Sequence, residues 1–173
     1  MARKSEPEYF IGQDNGTTST VAILSDNDKP VFRKTPVKQS NGEKRLNHEE
    51  YKKILEPYSG KAIAVLERPM INPSRFKSSI SAAKCHEAMR ICLEELDIPF
   101  IVIDSRIWQN PLFVGKYKKL TTKQASTELG NELFPEFKQS KHTDRDSLLM
   151  AFYAKNNPDI FMKKTQKRKK PKK

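Results

Sequence analysis

Between residues 62 and 104 the chain shows a strand pattern, a long helix pattern and a second strand pattern, and this order constrains the fold more than any other feature. Residues 62–66 and 99–104 carry short continuous apolar runs, which are typical of strands buried on both faces. Residues 75–96 between them predict one long helix. A strand, a helix and a strand of this length form a βαβ unit with a right-handed connection and a parallel strand pair.

The long predicted helix carries most of its apolar residues on one broad face, which we expect to pack on the sheet. These residues are Phe76, Ile80, Ala83, Met89, Ile91, Cys92 and Leu96. His86 in the same helix is predicted to be structural. The cysteines of the chain, Cys85 and Cys92, lie seven residues apart in this helix, which is about 10 Å along its axis. Because a disulfide needs Cα atoms within about 7 Å, both are predicted to be small core residues in a reducing compartment.

Three further strand patterns precede the βαβ unit. They cover residues 9–14, 18–24 and 31–37. The polar residues 25–30 are typical of a turn, so the three strands are predicted to form an antiparallel meander. Residues 39–45 are predicted to form a loop, and Asn47 is expected to cap a short helix over residues 48–56.

Two more helices complete the pattern. Thr121 or Thr122 is expected to cap a helix over residues 123–133, and a closing helix is predicted over residues 144–155. Three antiparallel strands, then helix-linked parallel strands and a closing helix, describe a ribonuclease-H-like α/β fold. The predicted sheet is mixed and five-stranded, with helices on its flanks.

The chain has 33 Lys and Arg against 21 Asp and Glu, and its formal net charge of +12 favours a polyanionic partner. Nucleic acid and an anionic membrane surface both fit such a charge. No amphipathic membrane helix is evident, and the sequence has no run of about 18 apolar residues that could span a bilayer. Nucleic acid is therefore the predicted partner, and no membrane association is expected.

At 173 residues the chain is predicted to form one domain, over residues 9–160. Residues 1–8 are expected to be a flexible arm. Because the N-terminus has no apolar signal core, the protein is expected to be cytoplasmic. Residues 161–173 are rich in Lys with little apolar character, and are expected to be a disordered basic tail.

Acidic residues stand where several predicted elements begin or end. Asp14 ends the first strand, and Gly16 just after it would let a phosphate approach closely. Glu67 follows five buried-looking residues, where a charge needs a partner or a metal ion. Asp144 and Asp146 stand at the start of the closing helix. Carboxylates held on rigid elements suit Mg²⁺, so we predict a metal-dependent nuclease with two Mg²⁺ ions about 4 Å apart, for which Mn²⁺ can substitute.

Each of these acids also has a purely structural explanation. Asp14 could cap a turn, and Glu67 could pair at the surface with the adjacent Arg68. Asp144 and Asp146 could simply favour the positive end of a helix. Other catalytic signatures are missing, since there is no glycine-rich phosphate loop and the three histidines do not have zinc spacing. The order of the acids along the chain favours one shared site.

At these positions the chain resembles RuvC-like Holliday junction resolvases, in particular the short phage-encoded type, over about residues 9–155. Residues 11–16 (IGQDNG) resemble the first-strand motif Gly-x-Asp-x-Gly of that family, and residues 65–69 resemble its second acidic strand. Residues 72–83 resemble the start of the long helix of the phage type, and residues 145–151 resemble the closing helix. Further similar segments are residues 104–109 and 123–126.

The resemblance implies catalytic metal ligands at Asp14, Glu67 and Asp146. The family often has Asp or His three residues before the last acid, where this chain has Thr143. We expect Asp144 to be the fourth ligand. Because it would lie about 200° from the last acid on an ideal helix, it must stand at or before the helix cap to reach the same ions. His142 is the alternative ligand, or a base that orients the water.

The resemblance also implies a basic residue near the active site, on the segment before the predicted helix 123–133. The candidates are Lys116, Lys118, Lys119 and Lys123. One of them could stabilise the developing charge on the phosphate, or all could be general contacts to the DNA backbone. Arg75 and Lys77, at the start of the long helix, are further candidates for DNA contact.

The implied activity is a metal-dependent, structure-selective endonuclease that resolves Holliday junctions and other branched DNA by phosphodiester hydrolysis. The implied state is a homodimer, because a two-fold junction needs two active sites, and the compartment is the host cytoplasm if the protein is phage-encoded. One alternative is an RNase H that acts on RNA–DNA hybrids. Another is a catalytically inert nucleic-acid-binding protein of the same fold.

Overall fold

The computed structural model of the protein describes residues 6–142 and 144–161. Most of the predicted arm and nearly all of the predicted tail lie outside the described residues, and the predicted limits of the domain stay a prediction. The described strands are β1 (Tyr9–Gln13), β2 (Thr20–Leu24), β3 (Val31–Lys34), β4 (Val37–Ser40), β5 (Glu43–Leu46), β6 (Ala62–Glu67) and β7 (Phe100–Ile103). The described α-helices are α1 (His48–Leu55), α2 (Phe76–Glu95), α3 (Ser105–Leu112), α4 (Thr122–Leu133) and α5 (Asp146–Asn156).

Five strands form one mixed sheet in the order β3-β2-β1-β6-β7. The pairs β1–β2 and β2–β3 are antiparallel, and the pairs β1–β6 and β6–β7 are parallel. The predicted sheet of three antiparallel strands followed by parallel strands is therefore confirmed. β1 is central, so its carboxyl end lies beside that of β6.

Helices cover both faces of the sheet. Side chains alternate between the two faces along each strand, and both faces carry apolar side chains that need burial. Ile11 and Ala64 face α1 and α2, in a core that includes Met89. Phe10 and Val65 face the opposite way, toward α3 and α5, in a second core that includes Trp108 and Leu149. The continuous apolar runs of the sequence are thus explained by burial on both faces.

Helix α5 crosses β1 at very short range. A Cβ atom added to Gly12 would lie 2.0 Å from the carbonyl oxygen of Ser147 and 2.5 Å from the amide nitrogen of Ala151. Only a glycine lets the helix backbone reach this strand. The crossing brings the first turn of α5 to the carboxyl end of β1.

The predicted loop over residues 39–45 is wrong, because this segment forms a β-hairpin of β4 and β5 outside the main sheet. Asn41 (φ +51°) and Gly42 (φ +77°) form its two-residue turn, and an Asn-Gly pair is favoured there because both positions need positive φ. The predicted third strand, 31–37, is divided at Thr35 and Pro36. β3 ends at Lys34 and β4 begins at Val37.

The helices differ from the prediction in detail. Asn47 caps α1 as predicted, and Thr121 caps α4 in a capping box with Gln124. Helix α3 was not predicted from the mixed, basic segment 105–119, although it places Trp108 fully in the core. The closing helix begins at Asp146, two residues later than predicted.

The predicted core face of α2 is partly wrong. Phe76, Ile80 and Ile91 are exposed, although Met89 and Cys92 are buried as expected. The buried face also includes small or polar side chains, namely Ser79, Cys85 and His86. Burial of the polar Ser79 side chain is tolerated because its hydroxyl forms hydrogen bonds with the backbone of Asn72 at 2.9 and 3.2 Å. Apolar content alone therefore misidentified the face that packs on the sheet.

Both cysteines are free and buried, as predicted. Burial raises the pKa of each thiol to about 11, so neither is primed as a nucleophile. Burial lowers the pKa of His86, which favours its neutral form. Among the described residues, no helix has the length and apolar character needed to cross a bilayer.

We expect Gly12→Ala to destabilise the protein by about 3 kcal/mol, because the added methyl group would overlap backbone atoms of α5 that cannot rotate away. Gly60→Ala is the matched control. Gly60 has φ +71° but open space around its Cβ position, so it should cost only about 1 kcal/mol of backbone strain. Urea unfolding of both variants measures the difference. An equal loss of unfolding free energy in the two variants would show that the packing of α5 does not depend on the close crossing at β1.

Candidate metal centre

Asp14 lies at the carboxyl end of β1, in the turn that leads to β2. Its Oδ1 accepts a hydrogen bond from the Asn15 amide at 2.6 Å, and its own amide donates to the Thr20 carbonyl at 3.4 Å. Gly16 in the same turn has φ +108°, a conformation that other residues rarely adopt. The turn therefore fixes the backbone on both sides of the carboxylate.

Gln13 anchors this turn from the other face of the strand. Its side chain is buried, and its Nε2 donates to the Thr20 carbonyl and to Thr35 Oγ1, both at 3.1 Å. Its Oε1 accepts a hydrogen bond from the Tyr51 hydroxyl at 3.0 Å. A buried network whose members are satisfied resists rearrangement, so the strand end that carries Asp14 is rigid.

Glu67 is the last residue of β6, beside the end of β1 in the parallel pair. Its side chain lines the same cleft as those of Asp14 and Asp146. The adjacent Arg68 pairs instead with Asp104, with 3.2 Å between Nη1 and Oδ1. The explanation of Glu67 as a surface acid neutralised by Arg68 is therefore wrong.

Three carboxylates meet at one point. Oxygen atoms of Asp14, Asp144 and Asp146 all lie within 4.8 Å of one another. Asp146 begins α5, and Asp144 stands two residues before it, outside the helix. Its Oδ1 accepts a hydrogen bond from the Asp146 amide at 2.8 Å. This position meets the condition that an acid at residue 144 must precede the helix to share a site with Asp146.

Two serines position Asp146, and the sequence did not single out either of them for this role. The Ser126 hydroxyl, on α4, donates to Asp146 Oδ1. The Ser147 hydroxyl bonds Thr20 Oγ1 on β2 at 2.7 Å, which fixes the start of α5 to the sheet. Both serines are buried. A serine in an otherwise helical segment is common, so sequence offered no signal for these contacts.

Arg145 organises the loop before α5 from inside the protein. Its side chain is 1% exposed and lies over the ring of Phe32, 5.5 Å from its centroid. Its guanidinium donates to the Asn131 side chain and to carbonyl oxygens of this loop, those of Phe137, His142 and Asp144. A buried charge needs such a complete set of acceptors. Arg145 is thus a positioning residue for Asp144 and Asp146.

Asp14, Glu67 and Asp146 hold their protons more strongly than ordinary carboxyls do. Burial raises the pKa of Asp14 well above its ordinary value, and the charges of Asp144, Asp146 and Glu67 raise it further. Burial and the charge of Asp144 raise the pKa of Asp146 to about 7. Burial likewise raises the pKa of Glu67. A divalent cation would relieve both the desolvation and the mutual repulsion that cause these shifts.

The acids open into a cleft of about 520 Å³ at the carboxyl ends of β1, β6 and β7. Asn15 lines this cleft beside Asp14, and its Oδ1 is buried without a hydrogen-bond partner among the described residues. Arg75 also lines it. Carboxylates and an amide oxygen form a donor set of hard oxygen atoms, which fits Mg²⁺ or Mn²⁺ rather than zinc.

The other predicted site residues belong neither to the carboxylate cluster nor to the lining of the cleft. The ring of His142 packs edge-on against Phe32, 6.1 Å between centroids, and the carboxylate cluster found among the described residues does not include it. Lys77 lines a different groove, on the other side of α2. Lys116 pairs with Glu132 at 2.5 Å. Lys118, Lys119 and Lys123 are exposed, and none of them lines the cleft.

No protein-family model matches the chain, and no curated protein matches its sequence. Its fold is similar to that of a structure described as T. thermophilus RuvC in complex with Holliday junction substrate. The match has 10% identity and a TM-score of 0.60, and covers 88% of this chain and 95% of that one. A second Thermus thermophilus RuvC structure matches at 12% identity and a TM-score of 0.62, over 88% and 96% of the two chains. The chain therefore has the RuvC-like, ribonuclease-H-like fold, as predicted.

We expect Asp144→Asn to weaken Mn²⁺ binding by about tenfold or more, because losing a ligand should cost at least as much as losing a residue that merely supports one. His142→Ala should leave the affinity within about twofold, since its ring packs on Phe32. Isothermal titration calorimetry with Mn²⁺ measures both. The reverse result would reassign the fourth ligand to His142.

Without metal, the protein should lose stability as the pH rises from about 4 to about 7. The raised pKa values mean that the native state keeps protons on Asp14, Glu67 and Asp146, whereas the unfolded chain loses them near pH 4. The native state therefore binds more protons across this window, and the free energy of unfolding falls with pH.

Calorimetric scans in chelator at about pH 5 and about pH 8 test this expectation. Mg²⁺ should raise the Tm more at the higher pH, because the carboxylates have then lost the protons that compete with the ion. Asp146→Asn is the control variant. It removes one charge from the cluster, so its Tm should fall less between the two pH values. A Tm that falls equally in both proteins would place the pH dependence elsewhere.

Proposed function

We propose that this protein is a divalent-metal-dependent endonuclease that cuts branched DNA by phosphodiester hydrolysis. The observation that carries the proposal is the meeting of Asp14, Asp144 and Asp146 at one point, next to Glu67, in a RuvC-like fold. A cluster of unneutralised carboxyls at the mouth of a cleft is costly unless a cation occupies it. The chain around it has a formal net charge of +12, which suits a polyanionic substrate.

Asp14, Glu67, Asp144 and Asp146 would hold the metal, and Mg²⁺ is proposed as the physiological ion, two per site, with Mn²⁺ able to replace it. Bound there, divalent ions activate water and neutralise charge on the leaving oxygen in phosphodiester hydrolysis. The residues around the acids keep them in place. Ser126 orients Asp146, and Arg145 fixes the loop that carries Asp144. Rigid support of this kind is what a metal site needs to hold ligand geometry.

The cleft offers the substrate a guanidinium beside the acids. Arg75 lines the cleft, and Arg68 at its rim is paired with Asp104. Arg75 is therefore a better candidate than Arg68 for binding a phosphate near the metal site. A guanidinium group can donate two parallel hydrogen bonds to the oxygens of one phosphate. Lys116, Lys118, Lys119 and Lys123 are proposed as contacts to the DNA backbone farther from the cut. Lys116 is the weakest of these because Glu132 already neutralises it.

Branched DNA is proposed as the substrate because one RuvC neighbour was solved with a Holliday junction substrate. Four-way junctions are the first candidate, and forks and flaps share the branch point. We propose a homodimer, since two symmetric cuts in a two-fold junction need two sites. The sequence motifs resemble those of the phage-encoded type, and this origin is proposed on them alone.

One assay separates this function from its alternatives. The protein is incubated with a four-way junction, a linear duplex and an RNA–DNA hybrid, each with Mg²⁺ or with chelator. Cleavage of the junction in Mg²⁺ only is the expected result. Preferential cleavage of the hybrid would instead indicate an RNase H, which reads 2′-hydroxyl groups. Binding without cleavage of any substrate in Mg²⁺ would indicate an inert nucleic-acid-binding protein.

We expect Asp14→Asn to reduce junction cleavage by more than about a hundredfold, because it removes a ligand that supports the metal directly. Junction binding should be unchanged or tighter, since the variant also removes a negative charge that repels phosphate. Gel-shift titration and cleavage at millimolar Mg²⁺ measure the two effects. Full cleavage by this variant would contradict the assignment of the site.

A further inference from the structure

A second and larger cavity lies on the opposite side of the long helix from the acids. It is a groove of about 1050 Å³ between the β4–β5 hairpin and the first half of α2. Its apolar lining includes Leu46 of the hairpin with Phe76 and Ile80 of the helix. Phe76 is 65% exposed and Ile80, one helical turn later, is 36% exposed, so the two form an apolar patch beside the groove. Adjacent exposed apolar side chains of this kind can mark an interaction site.

The rim of this groove is strongly basic. Its charged lining consists of Lys38, Lys44, Arg45, Lys77 and Lys84 with one carboxylate, Glu43. The catalytic cleft has the opposite character, because its lining has four carboxyls, those of Asp14, Glu67, Asp104 and Asp146. The groove is therefore suited to an anion and does not resemble a second metal site.

The single carboxylate of the groove is already neutralised. Glu43 Oε2 lies 3.1 Å from Lys84 Nζ and 3.3 Å from Arg45 Nη2. These contacts lower the pKa of Glu43, chiefly through Lys84, and join the hairpin to α2. Within residues 6–142 and 144–161, no ion pair is found for Lys38, Lys44 or Lys77. Their charges remain available to a ligand.

The first turns of α2 form the wall between the two cavities. Ser78, Ser79 and Ala82 line the catalytic cleft, and Lys77, Ile80 and Ser81 line the groove. The two sets alternate along the same helical segment, so only the width of one helix separates the cavities. A nucleic-acid strand that leaves the cleft over the start of α2 would arrive in the groove.

The apolar lining of the groove determines which kind of polyanion it can bind. A duplex would present only its phosphate backbone to this groove and leave Phe76 and Ile80 in water. A single strand carries phosphates for the basic rim and unpaired bases that stack on an aromatic ring, which is the combination found in proteins that bind single strands. A second copy of this chain fits poorly, because a symmetric contact at this groove would place the same cations opposite one another.

We infer that the groove between the β4–β5 hairpin and α2 binds an unpaired DNA strand, with Phe76 stacking against a base and the surrounding lysines contacting phosphates. The inference extends the proposed function to the single-stranded parts of a branched substrate, such as the free strand of a fork or flap. Binding at the groove needs neither the acid cluster nor a metal ion. It can therefore be tested separately from cleavage.

The test measures the anisotropy of a fluorescent single-stranded oligothymidylate in chelator, with a duplex of equal length for comparison. Phe76→Ala should weaken single-strand binding by about tenfold, and Phe76→Trp should retain it, because any aromatic face can stack on a base. Both variants should fold, since the side chain is largely exposed. Ile107→Ala is the matched control. Ile107 is 50% exposed and lines neither cavity.

The charge contribution is measured in the same assay. Lys44→Gln with Lys77→Gln should reduce the slope of log affinity against log salt by about 1.4, or about 0.7 for each lost phosphate contact on a single strand. Lys29→Gln with Lys61→Gln is the control, since both lysines are exposed and line neither cavity. Duplex affinity should change little with Phe76→Ala.

Single-strand affinity that is unchanged in Phe76→Ala and in the double lysine variant would overturn the inference, even if the protein cuts junctions. Equal loss of single-strand and duplex binding in Phe76→Ala would also overturn it. A shift from dimer to monomer in that variant, with single-strand binding intact, would show that a second copy of the chain covers the groove. If the predicted changes appear but no substrate is cut, the groove assignment stands and the proposed nuclease function fails.

Discussion

The close crossing of helix α5 over strand β1 is the contact on which the rest of the site depends. Gly12 allows it, because a side chain at that position would overlap the backbone at Ser147 and Ala151. The crossing places the first residue of α5 next to the residue that follows β1. Asp146 and Asp14 therefore meet although 132 positions separate them in the sequence. Gly130 on α4 allows a similar close approach to Arg145, because a Cβ at residue 130 would lie 2.4 Å from the Cβ of Arg145.

The acid cluster opposes folding, and the surrounding structure holds it in place. Burial and mutual repulsion raise the pKa of Asp14 and Asp146, so these charges are unfavourable without a cation. A buried arginine, a serine on α4 and the Gln13 network keep the acids together nonetheless. The structure thus holds a locally unfavourable set of carboxyl groups in a fixed arrangement, which is the arrangement that a metal site would need. The formal net charge of +12 suits the attraction of a polyanion that is proposed for this protein.

Prediction from sequence was most accurate where one physical signal dominated. Residues 62–66 had to be a strand buried on both faces, and the alternation of the two cores around Ala64 and Val65 confirms it. The caps at Asn47 and Thr121 were visible because side-chain oxygens there have one favoured role. Prediction from sequence failed where the pattern of apolar and polar residues disagreed with the actual burial or secondary structure. The β4–β5 hairpin was hidden by polar strands around its Asn-Gly turn, and the core face of α2 was hidden by exposed Phe76 and Ile80.

The sequence by itself determined the order of strands and helices, the basic charge and the position of each acid at the end of an element, because these follow from local periodicity and composition. Only the tertiary structure decided that Asp144 faces the same point as Asp14 and Asp146 while His142 packs on Phe32. It also decided that Arg68 pairs with Asp104 rather than with Glu67, and that Ser126 and Arg145 support the acids. The reason is physical. These contacts join residues from different elements, and their geometry is fixed by how closely the helices pack on the sheet, which no local pattern records.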